Sequence, residues 1–204
     1  MLDRDIRALL YKVYLTQYKD GESCVVEEMG LSAHTVRIDI GVINGSLVGY
    51  EIKSEHDNLA RLPKQIEVYD QIFDRLTLIS GPKHLAKVTK MLPPYWGILV
   101  PGERDGEPCF HIERPATQNP NRSAYMIASL LWYEEAKTLL EQQGISKLSK
   151  LRRWELWEKV AEYFTLEEVS SHVRHILKHR KGWPRPSWPE DLADVPQTQC
   201  DGLC

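Results

Sequence analysis

The sequence lacks long apolar runs, and from its N-terminal stretch we expect no secretory leader. No stretch approaches the roughly 18 consecutive apolar residues that a membrane-spanning helix requires. The N-terminal stretch MLDRDIRALLYKVYL mixes acidic and basic residues and has no apolar core of the signal-peptide type. From these two absences we expect a cytoplasmic protein with no membrane partner.

The chain also has few cysteines and no excess of positive charge. Its four cysteines form no CxxC pair, so their spacing indicates neither a metal site nor a disulfide framework. Asp and Glu number 29 against 26 Lys and Arg, which gives a formal net charge of −3. An anionic partner such as nucleic acid must therefore be met by a local basic patch.

The 204 residues have an ordinary globular composition, and their apolar periodicity predicts an α/β fold. Alternating segments at about 35–43 and 47–53, joined by NGS, predict a β-hairpin. Short apolar runs at 75–80 and 96–100 are typical of buried strands, and helical spacing lies between them. This order of elements predicts a mixed β-sheet flanked by helices.

A polar stretch rich in Pro and Asn, at 114–123, leads into a helical C-terminal half. Its helices are expected at about 123–143, 148–163 and 166–180. We therefore divide the chain into three parts, namely an α/β core (1–115), a C-terminal helical extension packed on the core (116–183) and an extended tail (184–204).

Three charged residues stand in the predicted hairpin, where side chains alternate between two faces: Asp39 on the first strand, and Glu51 and Lys53 on the second. A two-residue turn would put Asp39 and Glu51 on opposite faces. A three-residue loop that pairs Val42 with Ser46 would put them on one face, with Asp39 diagonal to Glu51. We therefore predict an odd-numbered or bulged loop.

The uncharged residues of the hairpin fit the same register. One face of the first strand is expected to hold its apolar side chains, Val36, Ile38, Ile40 and Val42. Gly41 and Gly49 fall on the charged face, and we expect them to leave it open for a substrate to approach.

Two neighbouring carboxylates repel one another unless they share a proton or a cation. Oxygen ligands with open water positions suit Mg²⁺ or Mn²⁺, and Lys53 lies where it can hold an activated water or offset phosphate charge. The alternative is a surface salt bridge of Lys53 with Glu51 or Asp39, which contributes little to stability. On the E-x-K spacing alone, the salt bridge is the commoner case.

Asp39, a hairpin turn and then Glu51-Ile52-Lys53 resemble the PD-(D/E)XK nuclease signature, with Ile38 in the place of the usual proline. The longer stretch VRIDIGVINGSLVGYEIKSEHDNLARLPKQIEVYDQIFD is similar to a family of uncharacterised bacterial and phage proteins placed in that superfamily. The resemblance implies a restriction-endonuclease-like sheet. It also implies that Asp39 and Glu51 bind Mg²⁺ or Mn²⁺ while Lys53 helps to activate water for phosphodiester cleavage.

The same resemblance implies further site residues. Glu28 matches an outer metal ligand, with Glu27 as the second candidate, and Ile52 joins the implied ligand set. Gln65 matches a residue on the following helix that orients a phosphate or the attacking water. The alternatives are a solvated helix end for the two glutamates and an exposed helix face for Gln65.

Two local basic clusters, at 147–153 and 174–185, lie in the helical half. Their candidates for contacts with a nucleic-acid backbone are Arg152, Arg153, Lys178, Arg180 and Lys181. Trp183 and Trp188 are candidates for stacking on unpaired bases. The alternative is that the basic residues only complement helix dipoles.

Two functions therefore stand side by side. The first is a divalent-metal-dependent nuclease acting on DNA, or alternatively on RNA, and the intact Asp/Glu/Lys set favours it. The second is a catalytically silent nuclease-fold DNA-binding or scaffold protein, or one whose activity requires a partner protein. The negative net charge favours this second function. A helical adaptor carried by residues 123–181 is a more distant third, and the oligomeric state is left open.

Overall fold

The computed structural model describes residues 1–19, 21–33 and 35–183. Six strands form one sheet in the order β1-β2-β3-β4-β5-β6. They are β1 (Cys24–Leu31), β2 (Val36–Ile43), β3 (Leu47–Lys53), β4 (Arg75–Ser80), β5 (Gly97–Arg104) and β6 (Glu107–Arg114). The pairs β1–β2, β2–β3 and β5–β6 are antiparallel, and β3–β4 and β4–β5 are parallel. The predicted mixed sheet flanked by helices, with further helices at its C-terminal end, is confirmed.

Helices cover both faces of this sheet. The α-helices are α1 (Asp3–Leu10), α2 (Leu62–Tyr69), α3 (Leu85–Met91), α4 (Ala124–Ala128), α5 (Tyr133–Glu141), α6 (Arg153–Tyr163) and α7 (Leu166–His179). A π-helical turn (Tyr11–Leu15) and a 3₁₀ turn (Thr16–Tyr18) prolong α1 irregularly. The extended tail predicted for 184–204 lies outside the described residues.

The prediction of one long helix at 123–143 is wrong, because the helix is interrupted between α4 and α5. Trp132 adopts an extended conformation there, and its backbone N–H donates to Glu135 of α5 at 2.7 Å. The helix predicted at 148–163 likewise begins only at Arg153, where Glu155 accepts from the N–H of Arg152. In both cases a Glu in the first turn caps a new helix start, which apolar spacing alone does not reveal.

Two buried clusters lie on the two faces of the sheet. The smaller one joins α1 to the sheet through residues such as Leu10, Ile40 and Ile52. The larger one joins the other face to α2 and to the C-terminal helices, so that Trp157 and Val173 share one core with the sheet. The site described below lies at an edge of the larger cluster, between β2, β3 and α2.

The even-numbered apolar residues of β2 do not share one face, contrary to the prediction. Ile40 and Val42 belong to the smaller cluster, whereas Ile38 belongs to the larger one. On the neighbouring strand Glu28 has a positive φ of 51°, and it interrupts the pairing between Glu27↔Ile40 and Met29↔Ile38. This left-handed residue accompanies a reversal of faces that a period of two cannot anticipate.

The glycines of the hairpin do not open its charged face to a substrate, so that prediction is also wrong. A Cβ at Gly49 would lie 2.6 Å from Ile38 Cδ1 and 2.8 Å from Leu76 Cδ2, and one at Gly41 would lie 2.7 Å from Met29 Sδ. The space above these glycines is therefore filled by core side chains.

None of the helices in the described part of the chain has the length and apolar character needed to cross a bilayer. Cys24 and Cys109 are both buried.

Candidate active site

The β2–β3 loop has the odd number of residues that the charge pattern required. Ile43 pairs with Leu47, and Asn44, Gly45 and Ser46 form the loop between them. Asn44 Oδ1 accepts from the backbone N–H of Ser46 at 2.9 Å, which fixes the turn locally. The odd-numbered loop is confirmed, but the pairing is shifted by two residues from the proposed Val42–Ser46 pair.

Asp39 lies where β2 and β3 separate. The observed pairing ends at Ile40↔Tyr50, so Asp39 is the first residue of β2 beyond the paired part of the hairpin. Its Oδ2 accepts from the backbone N–H of Ile52 at 2.6 Å. The carboxylate thus bridges the gap between two strands that no longer bond to one another, and it points toward the side chains of the E-x-K segment.

Glu51 is an almost completely buried carboxylate, with 1% of its surface exposed. Its Oε1 accepts from Lys53 Nζ and, at 2.6 Å, from Gln65 Nε2. The Tyr69 hydroxyl lies 2.9 Å from Glu51 Oε2 and also contacts the backbone carbonyl of Arg37, so its single proton serves one of these two acceptors. Lys53 and Gln65 therefore hold one oxygen of Glu51, and the Tyr69 hydroxyl lies against the other.

The ion pair of Lys53 with Glu51 is buried, since their side chains are 8% and 2% exposed. The alternative of an ordinary surface salt bridge is therefore wrong. A buried pair does not by itself explain stability, because removing two charges from water costs about as much as their attraction returns. The burial of this pair is therefore weak evidence for a stabilising role.

Gln65 does not lie on an exposed helix face. Because α2 begins at Leu62 with Pro63 in its first turn, Gln65 and Tyr69 lie one turn apart and both face Glu51. Gln65 is 8% exposed, and its Oε1 has no hydrogen-bond partner in the described structure. A buried acceptor without a partner costs stability, so this oxygen is available to a water or a cation.

The two candidate glutamates of β1 have separate environments. Glu28 lines the cleft and pairs with Arg37 at 2.7 Å and with Arg7 of α1 at 3.3 Å. Glu27 instead accepts from the Tyr11 hydroxyl at 2.6 Å. Of the two, only Glu28 adjoins the site.

Burial and, after it, the nearby charge of Glu51 raise the pKa of Asp39 to about 7, against the lowering effects of the Ile52 N–H, Lys53 and Arg7. Burial also raises the pKa of Tyr69, and Glu51 adds to that effect, so its phenol stays protonated. Burial thus favours the neutral form of both groups, and at Asp39 the charge of Glu51 adds to this effect.

The site opens into a cleft of about 600 Å³. Exposed cations at its rim are Arg37, Arg61 and Lys64, and the acids at the rim are Asp3, Glu28 and Asp57. The cleft therefore offers discrete cationic contacts in a mixed field. It does not present the uniformly basic surface that would attract a long duplex.

The residues fit a divalent cation through oxygen donors. Asp39, Glu51 and Gln65 all line the cleft, and Gln65 Oε1 has no partner among the described residues. The charge of Glu51 is the second cause, after burial, of the raised pKa of Asp39, so a cation beside the two carboxylates would relieve their repulsion. The described residues contain no group of three or more His, Cys, Asp or Glu side chains placed to hold a metal ion. Glu28 thus does not join Asp39 and Glu51 in such a group, and Ile52 contributes an N–H to Asp39.

The two basic clusters of the helical half differ in what they offer. The side chain of Arg180 is buried, pairs with Glu135 and stacks between Trp132 and Trp183, at 4.4 and 4.6 Å from the two ring centroids. It is therefore a structural residue. Arg152 and Arg153 are exposed, whereas Trp188 lies outside the described residues.

Two residues at this site were missed from the sequence. Tyr69 could have been predicted, because it follows Gln65 by four residues on a helix and therefore lies on the same face. Arg7 could not have been predicted, because its contacts with Glu28 and with the Asp39 carbonyl oxygen arise only from the docking of α1 on the sheet.

Comparison with known proteins gives a family match over most of the chain. The family model described as Bacteriophage P4 protein cII matches residues 5–185. Protein cII of Enterobacteria phage P4 is 27% identical over 166 residues, which cover 80% of this chain and 62% of that protein. The chain thus spans less than two thirds of the length of this relative. No solved structure matches it.

Proposed function

The chain belongs to the bacteriophage P4 protein cII family, and we propose that it is a divalent-metal-dependent nuclease that hydrolyses phosphodiester bonds of DNA. The observation that carries the proposal is the convergence of Asp39, Glu51 and Lys53 where β2 and β3 separate. This is the residue set of the PD-(D/E)XK superfamily that the sequence resembles.

The residues that would hold the cation are Asp39, Glu51, the side-chain oxygen of Gln65 and the backbone carbonyl of Ile52. Mg²⁺ needs only one or two carboxylates from the protein, because it retains several waters. When bound, such a cation supplies a water of lowered pKa and offsets the charge of the phosphate.

The protein's own groups then have separate roles. Lys53 lies where its ammonium can donate to the attacking water or to a phosphate oxygen, since its Nζ already contacts Glu51 Oε1. Gln65 and Tyr69 hold the carboxylate of Glu51 in one orientation. Arg61 and Lys64, exposed at the rim of the cleft, bind the flanking phosphates.

The test is cleavage of end-labelled single- and double-stranded DNA in Mg²⁺ or Mn²⁺. The double variant Glu51→Gln/Lys53→Met replaces the buried ion pair by neutral groups of similar shape, so it avoids leaving one charge unpaired. We expect cleavage to fall at least about 100-fold. Matched controls are Glu67→Gln and Lys87→Met, which change exposed charges on α2 and α3 and should leave the rate unchanged. Cleavage by the double variant at the wild-type rate would rule the proposal out.

One observation favours a silent nuclease-fold DNA-binding protein as the second candidate. Glu51 already has a counter-ion in Lys53, so its charge is balanced without a metal. That candidate predicts DNA binding by the wild type with no cleavage in either metal.

A further inference from the structure

A basic segment, residues 147–154, follows the Gly144 turn in the helical half. It carries Lys147, Lys150, Arg152 and Arg153, and no acidic residue occurs between Glu141 and Glu155. All four side chains are exposed, and none forms an ion pair with another described residue. In a chain with a net charge of −3, this is a strong local concentration of available positive charge.

Exposed tryptophans accompany the basic segment. Trp154 is 46% exposed, and the guanidinium of Arg152 lies 5.1 Å from its ring centroid. Trp132 is 50% exposed, with the Arg180 guanidinium at 4.4 Å. About half of each residue is thus open to solvent while a guanidinium packs on its ring. An indole held in this way presents a surface on which a flat aromatic group can stack.

Two of these residues, Arg153 and Trp132, lie close to the cleft of the candidate active site. Arg153 and Trp132 line a small cavity together with Gly30 of β1. Gly30 also lines the cleft that contains Asp39 and Glu51. A DNA strand leaving the cleft past Gly30 would therefore reach Trp132 and Arg153 first, and from Arg153 the rest of the basic segment.

We infer that the basic segment and Trp132 bind an unpaired DNA strand that runs on from the cleft, so that the substrate class is single-stranded DNA or a duplex with a single-stranded arm. This inference rests on the proposed nuclease function. Bases can stack on Trp154 and Trp132 only where they are not already stacked and paired in a duplex. The mixed charge of the cleft rim adds to the preference, because a duplex would bring more phosphates than the exposed cations there can match.

Binding is tested apart from cleavage, with the full chain in EDTA. The probes are a fluorescein-labelled oligo(dT) of about 15 nucleotides and a labelled hairpin duplex, followed by fluorescence anisotropy at several salt concentrations. We expect the wild type to prefer oligo(dT) at least about tenfold. Trp154→Ala should weaken oligo(dT) binding at least about fivefold, and Trp154→Phe should retain most of it. Arg152→Ala/Arg153→Ala should reduce the salt slope by about 0.7 for each phosphate that the variant no longer neutralises.

Two controls match these variants in residue type. Tyr163→Ala removes an aromatic residue that is 52% exposed farther along α6, and Lys87→Ala/Lys90→Ala removes two exposed cations from α3. Both should bind oligo(dT) as the wild type does. The inference would be overturned if the wild type bound the hairpin duplex DNA as tightly as oligo(dT). It would also be overturned if Trp154→Ala and Trp132→Ala both bound oligo(dT) as the wild type does. A wild type that binds oligo(dT) as expected but never cleaves it would reject the nuclease and leave the binding site in place.

Discussion

The backbone N–H of Ile52 donates to Asp39 Oδ2 at 2.6 Å, across strands whose own pairing has already ended. The carboxylate takes the place of a strand carbonyl and holds β2 and β3 at a fixed separation. Because Glu51 and Lys53 flank Ile52, the same bond sets Asp39 in position against both charged side chains. The geometry of the candidate site thus depends on one residue that is both a structural acceptor and a proposed ligand.

The two roles of Asp39 can be separated by two substitutions. Asp39→Asn keeps an oxygen that accepts from Ile52 but loses the charge, so we expect a folded protein whose Mn²⁺ affinity falls at least about tenfold. Asp39→Ala loses both, and the orphaned N–H should cost a further ~1–3 kcal/mol of unfolding free energy. Calorimetric Mn²⁺ titration and urea denaturation measure the two effects. Unchanged Mn²⁺ binding by Asp39→Asn would remove this residue from the ligand set.

The raised pKa of Asp39 predicts a pH dependence of stability in the metal-free protein. Since the folded-state pKa is about 7 and the ordinary value is 3.8, the folded state binds a proton that the unfolded state releases. This contribution to stability is complete below about pH 4 and is lost as the pH rises through 7. In EDTA, the unfolding free energy of Asp39→Asn should therefore rise relative to that of the wild type by on the order of 2–4 kcal/mol as the pH increases from about 4 to 8. A constant difference across this range would contradict the prediction.

Loop parity and burial were enough to predict that Asp39, Glu51 and Lys53 converge, but they did not determine the register, which is shifted by two residues from the predicted one. The sequence did not predict the reversal of faces at Ile38, which accompanies the left-handed conformation of Glu28 on the neighbouring strand. Nor did it predict the contacts of Arg7 with Glu28 and the Asp39 carbonyl oxygen, because they depend on how α1 docks on the sheet. Local periodicity thus predicted the site within one hairpin and failed where the site depends on a second element.

Gln65 is expected to act on turnover more than on folding. Its Nε2 donates to Glu51 and to the Tyr69 hydroxyl, and its Oε1 has no partner among the described residues. An apolar side chain of similar size therefore loses two hydrogen bonds but also removes an unsatisfied group. We expect Gln65→Leu to change the unfolding free energy by less than about 1 kcal/mol and to lower kcat about 10- to 100-fold. Gln71→Leu, which alters a partly exposed glutamine whose side chain donates to the Glu67 carbonyl, is the matched control. Loss of stability with normal kcat would make Gln65 a purely structural residue.

The glycines of the hairpin give a test of packing that does not depend on catalysis. At Gly49 an added methyl group would meet Ile38, Leu76 and Phe73 at 2.6 to 3.2 Å, whereas at Gly45 nothing lies within 4 Å. Gly49→Ala should therefore cost about 1–3 kcal/mol through overpacking, and Gly45→Ala should cost less than about 1 kcal/mol. Urea denaturation of both variants measures the difference. If Gly49→Ala were as stable as Gly45→Ala, core side chains would not fill the space above Gly49. That space would then be open for a substrate to approach.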